Sequence, residues 1–136
     1  MMPRRWAIVG SSGSGKSTLA RALGAKLDLP VVHFDALHFL PGWVERAPED
    51  MQARVDAAHA GDCWVSDGNY RRYSAERNRR AECVVWLDLP RSICFPRVLK
   101  RIATSYGQVR SDMAEGCHEQ IDPAFLRYVW NWPRDN

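Results

Sequence analysis

A chain of 136 residues suits one domain with a modest core, and 46% apolar residues with only 9 glycines and 8 prolines argue against disorder. The formal net charge of +3 permits attraction to phosphate-bearing small molecules but does not mark a nucleic-acid binder. The 4 cysteines form no Cys-x-x-Cys pair and match no zinc or disulfide framework, so buried free thiols in a reducing, cytoplasmic setting are expected.

Residues 6–9 form a short apolar run that reads as a first buried strand. It enters a glycine motif and shows no cleavage-site pattern, so it does not read as a signal peptide. Residues 17–27 follow as a helix, with Leu19, Leu23 and Leu27 at four-residue spacing. Ala20, Ala22 and Ala25 should let that helix lie close to a sheet. Residues 30–35 read as a second strand, continuously apolar as in a parallel strand covered on both faces.

Residues 37–48 look irregular around Pro41-Gly42. Pro48, Glu49 and Asp50 open a helix that runs to about residue 60, with His59 on its surface. Residues 63–67 are the third strand, 69–80 an arginine-rich and partly helical stretch, and 83–89 the fourth strand. Trp64 and Trp86 read as core. A helix over 91–104 turns Ile93, Val98 and Ile102 inward despite Pro96, a polar stretch spans 105–121, and a last helix covers 123–132. Strand and helix alternate, which predicts an α/β domain with a mostly parallel sheet and no membrane span.

Gly10-Ser-Ser-Gly-Ser-Gly-Lys16-Ser17 fits G-x-x-x-x-G-K-[ST] at every fixed position, between a predicted strand and a predicted helix. Gly10, Gly13 and Gly15 permit backbone angles that turn N–H groups inward, and Ser12 and Ser14 complete the anion nest. The helix start adds its positive end. Lys16 can reach β and γ phosphates, Ser17 offers a hydroxyl to Mg²⁺, and Thr18 adds an α-phosphate contact. This pattern predicts nucleotide binding, without distinguishing a kinase from an ATPase or GTPase.

Strand ends line the ligand crevice of a parallel sheet, and three predicted strands end in Asp35, Asp67 and Asp88. Asp67 is placed to hold magnesium through water or to accept a proton from an acceptor hydroxyl. Asp35 faces the acceptor or serves as the base, and Asp88 caps a helix or acts in the site. His33 reads as a packed core residue, His38 lies in the acceptor region, and Trp43 either stacks on a ring or pins its loop. Asn69, Arg71, Arg77 and Arg80 follow the third strand toward the acceptor. Arg97 and Arg101 share a helix face directed at one site, and Arg110 can swing in as a lid residue.

The chain resembles the small P-loop kinases related to adenylate kinase, and more closely the bacterial topology modulation group. The resemblance rests on residues 10–18 and on Leu-Pro-Val-Val-His-Phe-Asp-Ala-Leu at 29–37. It continues through Pro-Gly-Trp at 41–43, Asp-Gly-Asn-Tyr-Arg at 67–71, Leu-Asp-Leu-Pro-Arg at 87–91 and Arg-Ser-Asp-Met-Ala-Glu-Gly-Cys at 110–117. It implies a three-layer, nucleoside-kinase-like P-loop NTPase fold over residues 1–136, with an acceptor region at 38–60 and a lid at 105–119. Relatives continue with a fifth strand and a final helix, whereas this sequence stops at Asn136; an exposed sheet edge would favour self-association, and the expected state is a monomer or a homodimer.

The resemblance also implies ATP as donor, Asp67 near the magnesium, and Asp35 with His38 in an acceptor site like that of the sugar-acid kinases. The expected activity is ATP- and magnesium-dependent phosphoryl transfer to a small acceptor, whether nucleotide, nucleoside or sugar-like. Lys16, Asp35, Asp67, Arg101 and Arg110 would carry the chemistry, and Asp35, His38, Trp43, Asn69, Arg71 and Arg77 would bind the acceptor. The competing expectation is an ATP-binding regulatory module with weak hydrolysis, linked to DNA topology without direct DNA binding.

Overall fold

The computed structural model of the chain describes residues 2–11, 13–105 and 123–131. Its elements are β1 (Arg5–Gly10), α1 (Lys16–Leu27), β2 (Val31–His33), α2 (Phe34–His38), β3 (Phe39–Leu40) and β4 (Val44–Glu45), then α3 (Pro48–Ala58), β5 (Trp64–Asp67), α4 (Ala75–Arg80), β6 (Cys83–Leu87), α5 (Arg91–Ser105) and α6 (Pro123–Asn131). The sheet order is β2-β5-β1-β6, all parallel, with β3 and β4 pairing separately as a small antiparallel hairpin.

Two predicted boundaries shift. The second strand ends at His33, and residues 34–38 turn into a short helix. Phe34 thereby leaves the sheet and is buried against Met51 and Val55 of α3. The stretch expected to be irregular folds as the β3–β4 hairpin around Gly42.

Alternation along β5 sets the two faces of the sheet. Val65 joins Ile8 and Ala20 under α1. Trp64 and Ser66 point the other way, where Trp64 meets His59 edge-on at 4.8 Å between ring centroids. The close approach of α1 comes from Ala20 and Gly24, not from Ala22 and Ala25, which are exposed. A Cβ on Gly24 would come within 2.3 Å of Val31.

Trp86, expected in the core, is 61% exposed and Val84 is 56% exposed. Both project from β6 on the side opposite Val85 and Leu87, which pack under α1. No described helix covers that side of β6. Along α5, Cys94, Val98 and Ile102 are buried at four-residue spacing, while Ile93, expected inward, is exposed. Among the described residues Cys63, Cys83 and Cys94 are free thiols, and only Cys94 is fully buried.

A buried polar network lies behind β5. His59, expected on a helix surface, is 1% exposed, because it continues the Met51–Val55 inner stripe of α3 by one more turn. Its Nδ1–H donates to the Val55 carbonyl at 2.6 Å. That fixes the tautomer, so Nε2 accepts from the Ser66 hydroxyl at 2.8 Å. Burial pushes the His59 imidazole down to about 4, which keeps it neutral at pH 7.

Ser66 Oγ in turn accepts from Arg77 Nη1 at 3.1 Å, and Arg77 Nη2 donates to the Gly68 carbonyl at 2.8 Å. Arg77 is fully buried, with its guanidinium 4.6 Å from the Phe34 ring centroid. It was expected at the acceptor; both of its Nη bonds instead hold the end of β5 from behind, while its Nε donates to Asn78 Oδ1 at 2.7 Å. Burial lowers it to about 10, which leaves it charged at neutral pH.

Asn69, also expected on the acceptor, is turned toward the first loop. Its Oδ1 accepts from the Gly10 N–H at 3.0 Å and its Nδ2 donates to the Gly10 carbonyl at 2.8 Å. This two-point clamp joins the 67–70 turn to the end of β1.

Two tests follow from these contacts. The His59 imidazole titrates lower in the fold than in the unfolded chain, so the unfolded state binds more protons between about pH 6.5 and 4. Stability from this group is therefore present above pH 6.5 and lost as pH falls toward 4, by roughly 2–3 kcal/mol. Urea unfolding of wild type and His59→Gln at pH 7 and pH 5 should show a smaller pH loss in the variant. For the clamp, Asn69→Asp keeps an acceptor for the Gly10 N–H but has no donor for its carbonyl. It should cost about 1–3 kcal/mol in thermal unfolding, and an unchanged Tm shows the clamp to be idle.

Candidate functional site

The loop between β1 and α1 has the form of an anion cradle. Gly15 is the N-cap of α1 at φ 93°, with no side-chain capping bond, so no cap competes for the first-turn amides of this 12-residue helix. No atom lies within 4 Å of a Cβ built on Gly15, which leaves that side open. The tip is seated differently: a Cβ on Gly13 would meet the Cys94 carbonyl of α5 at 2.4 Å. Arg97 Nη1 reaches the Gly13 carbonyl at 3.3 Å.

The Ser14 hydroxyl is buried within this loop without a hydrogen-bond partner. An orphaned donor beside an open cradle fits a polyphosphate. Lys16 and Ser17 open α1 and are half-buried, while Thr18 is exposed. Ser12 and Arg110 lie outside the described residues, as does most of the stretch expected to be a lid.

Register brings the acid of β5 to the edge of this cradle. Asp67 is the Cα partner of both Ile8 and His33, and it is 2% exposed. His33 Nδ1–H donates to Asp67 Oδ2. His33 was read as a packed core residue; it is half-buried, and its ring serves the carboxylate. The strand that carries it has only three residues, and parallel register aligns its last residue with the last of β5. No spacing in the sequence announces that pair.

Ser17 and Asp67 offer the hard oxygen donors that magnesium takes in ones and twos alongside phosphates. Among the described residues no three His, Cys, Asp or Glu side chains gather to hold a metal without a phosphate.

Asp35 lies in the first turn of α2 and accepts the Tyr70 hydroxyl hydrogen at Oδ1. Burial first, and the Asp35 charge second, push the Tyr70 phenol above its usual range, so it remains a donor. The Tyr70 ring sits 4.9 Å from His38 and 5.8 Å from Phe34, centroid to centroid. His38 also meets Phe39 at 4.7 Å and approaches Glu45 at 3.7 Å. Trp43 turns the hairpin at φ 64° and meets Phe39 edge-on at 5.1 Å. Asp35, His38 and Tyr70 thus form one cluster beside the β3–β4 hairpin. Tyr70 was not singled out in the sequence, although it closes the Asp-Gly-Asn-Tyr run.

The arginines divide. Arg71 is exposed, and Arg77 is interior as described. Arg97 and Arg101 do not converge on one site, because Arg101 lies 5.9 Å over the Phe125 ring of α6 while Arg97 contacts the phosphate loop. Arg80 packs near the α3–β5 connection, donating to the carbonyls of His59 and Gly61.

Among solved structures the fold is similar to a gluconokinase from Sinorhizobium meliloti, with 20% identity, a TM-score of 0.57, and coverage of 93% of this chain and 73% of that one. It is likewise similar to shikimate kinase from Acinetobacter baumannii in complex with shikimate, with 18% identity, a TM-score of 0.61, and coverage of 97% of this chain and 76% of that one. No curated protein matches the chain. No helix among the described residues is long and apolar enough to cross a membrane. The shared architecture is an α/β, P-loop NTPase-like fold with a mostly parallel sheet. Residues 6–89, which carry β1, the phosphate cradle, Asp35, Asp67 and β6, match the ATPase family associated with various cellular activities (AAA), and the chain belongs to that family.

Proposed function

We propose that this chain is an ATP- and magnesium-dependent phosphotransferase, akin to the adenylate-kinase-related small kinases, that transfers the γ-phosphoryl group to a hydroxyl of a small acceptor. The observation that carries this reading is that Asp67 ends the strand beside β1 while Asp35, in different surroundings, is linked to the phosphate cradle through Tyr70 and the Asn69–Gly10 clamp. Asp67 is buried and held by His33 at the strand end nearest Gly10. Asp35 sits in the aromatic cluster and already receives a hydroxyl hydrogen bond.

The acceptor side favours a hydroxyl over a phosphate as the group attacked. Its described side chains include the carboxylates of Asp35 and Glu45 near His38, and a second phosphate there would meet negative charge. Arg46 is spent on the Leu37 carbonyl and Asp50, and Arg77 on the interior. The similar folds named above include a gluconokinase and a shikimate-bound kinase, in keeping with a hydroxyl-bearing acceptor.

In this reading the acceptor oxygen bonds to the γ-phosphorus as the bond to the bridging oxygen of ADP breaks, and the acceptor proton passes to Asp35. Lys16 and the α1 amides meet the negative charge on the transferred group. Magnesium, held by Ser17 and Asp67, would supply further neutralisation of phosphate charge. His33 keeps the Asp67 carboxylate oriented. The family match also supports a second reading, an ATP-binding regulatory module with slow hydrolysis.

Turnover of ATP with Mg²⁺ across polyhydroxy acids, nucleosides and nucleoside monophosphates, followed by ³¹P NMR, separates these readings. A phosphorylated hydroxyl acceptor supports the proposal. A nucleoside diphosphate product refutes the hydroxyl assignment, and flat, slow hydrolysis across the panel favours the regulatory module. Lys16→Ala should weaken ATP binding by roughly tenfold to a hundredfold in Kd, measured by calorimetry. Asp35→Asn should lower kcat by roughly 10²–10⁴-fold with ATP affinity unchanged, and a kcat within a few-fold of wild type removes Asp35 as base.

A further inference from the structure

We infer that Tyr70 is a specificity-determining residue that lets an acceptor alcohol, but not water, reach Asp35. The inference rests on the reading of Asp35 as the proton acceptor and assigns a role to the side chain that donates a hydrogen bond to it.

The Tyr70 hydroxyl donates to Asp35 Oδ1, which is the hydrogen bond an acceptor alcohol must make before it attacks. An alcohol that bonds to Oδ1 therefore competes with a hydroxyl already in place. The phenol is not free to drift away. Its ring is seated between His38 and Phe34. Its backbone sits at φ 26°, on the left-handed side that non-glycine residues avoid unless their surroundings enforce it.

That enforcement is visible on both sides of the residue. Asn69, immediately before it, is clamped to Gly10 by two hydrogen bonds. The Tyr70 carbonyl accepts from the Tyr73 N–H at 2.8 Å. The phosphate cradle and the position of the phenol are thus linked through one residue. Burial first, and the Asp35 charge second, hold the Tyr70 phenol protonated well above neutral pH, so it competes for Asp35 as a donor without replacing it as a base.

Water and an alcohol face different balances at this point. Water that displaces the phenol regains one hydrogen bond and nothing more. An alcohol on a carbon frame brings further contacts with His38 and the hairpin, and that binding energy offsets the displacement. The cap therefore suppresses transfer of phosphoryl to water, in which water oxygen would bond to the γ-phosphorus, ADP would leave, and the proton would pass to Asp35.

Tyr70→Phe tests this, because it keeps the ring and removes only the hydroxyl. Acceptor-free, Mg²⁺-dependent ATP hydrolysis should rise roughly tenfold, with ATP Kd unchanged. The gain should vanish in Tyr70→Phe/Asp35→Asn. Hydrolysis at or below the wild-type rate in a folded Tyr70→Phe protein overturns the inference. If Asp35→Asn alone leaves turnover intact, the base assignment itself is what fails. A second readout needs no variant at position 70: wild-type ¹H NMR should show a slowly exchanging phenol proton that disappears in Asp35→Ala, which has no acceptor there. Its absence from the wild-type spectrum overturns the inference even if Tyr70→Phe does not fold.

Discussion

The turn after β5 has to place a buried carboxylate at the lip of a phosphate cradle, and a buried cation makes that placement possible. Arg77 is completely enclosed, yet it makes no bond to the carboxylate it stabilises through space. Its fork instead ties the Ser66 hydroxyl and the Gly68 carbonyl, the residues on either side of Asp67. A charge in the interior is costly unless it is hydrogen-bonded and compensated, and here both conditions are met by the same short segment. Behind it, His59 accepts from Ser66 and closes the network without adding a second positive charge.

The segment 67–70 acts as a junction because each residue is fastened to a different element. Asp67 meets β2 through His33, Gly68 hands its carbonyl to Arg77, Asn69 grips Gly10, and Tyr70 reaches Asp35. Gly68 also has to be glycine at this point: it sits at φ 134°, and a Cβ there would come within 2.5 Å of Phe34. Four consecutive positions thus hold the phosphate loop and the Asp35 cluster in fixed relation. Such rigid support is what the proposed phosphoryl transfer would demand, since there is little for a protein to do in that reaction beyond positioning and charge stabilisation.

The helix after β6, α5, closes the cradle from the outside. Gly13 fits against α5 only because it lacks a side chain, and Arg97 secures the same loop. The far side of β6 contrasts with this, since Val84 and Trp86 project from it into the open while their neighbours pack under α1. One strand therefore carries an inner face that supports the site and an outer face that no described element uses.

The sequence by itself determined the phosphate cradle, because glycines, a lysine and a serine at fixed spacing are a backbone requirement that needs no distant partner. It also determined the alternating α/β order and the acid that ends β5, which follow from local periodicity and from where apolar runs stop, whereas Asp35, read as a strand end, lies in the first turn of α2. What it left open was every role that depends on two distant segments meeting. The pairing of His33 with Asp67 is a matter of register between β2 and β5. The inward turn of Arg77 and His59 depends on the shape of the space behind β5, and a charged or titratable residue is otherwise read as surface. Asn69 and Tyr70 lie among residues that look alike as acceptor contacts. Only the tertiary structure decided that one grips the phosphate loop and the other caps the acid, because a side chain's partner is fixed by the fold and not by its neighbours in the chain.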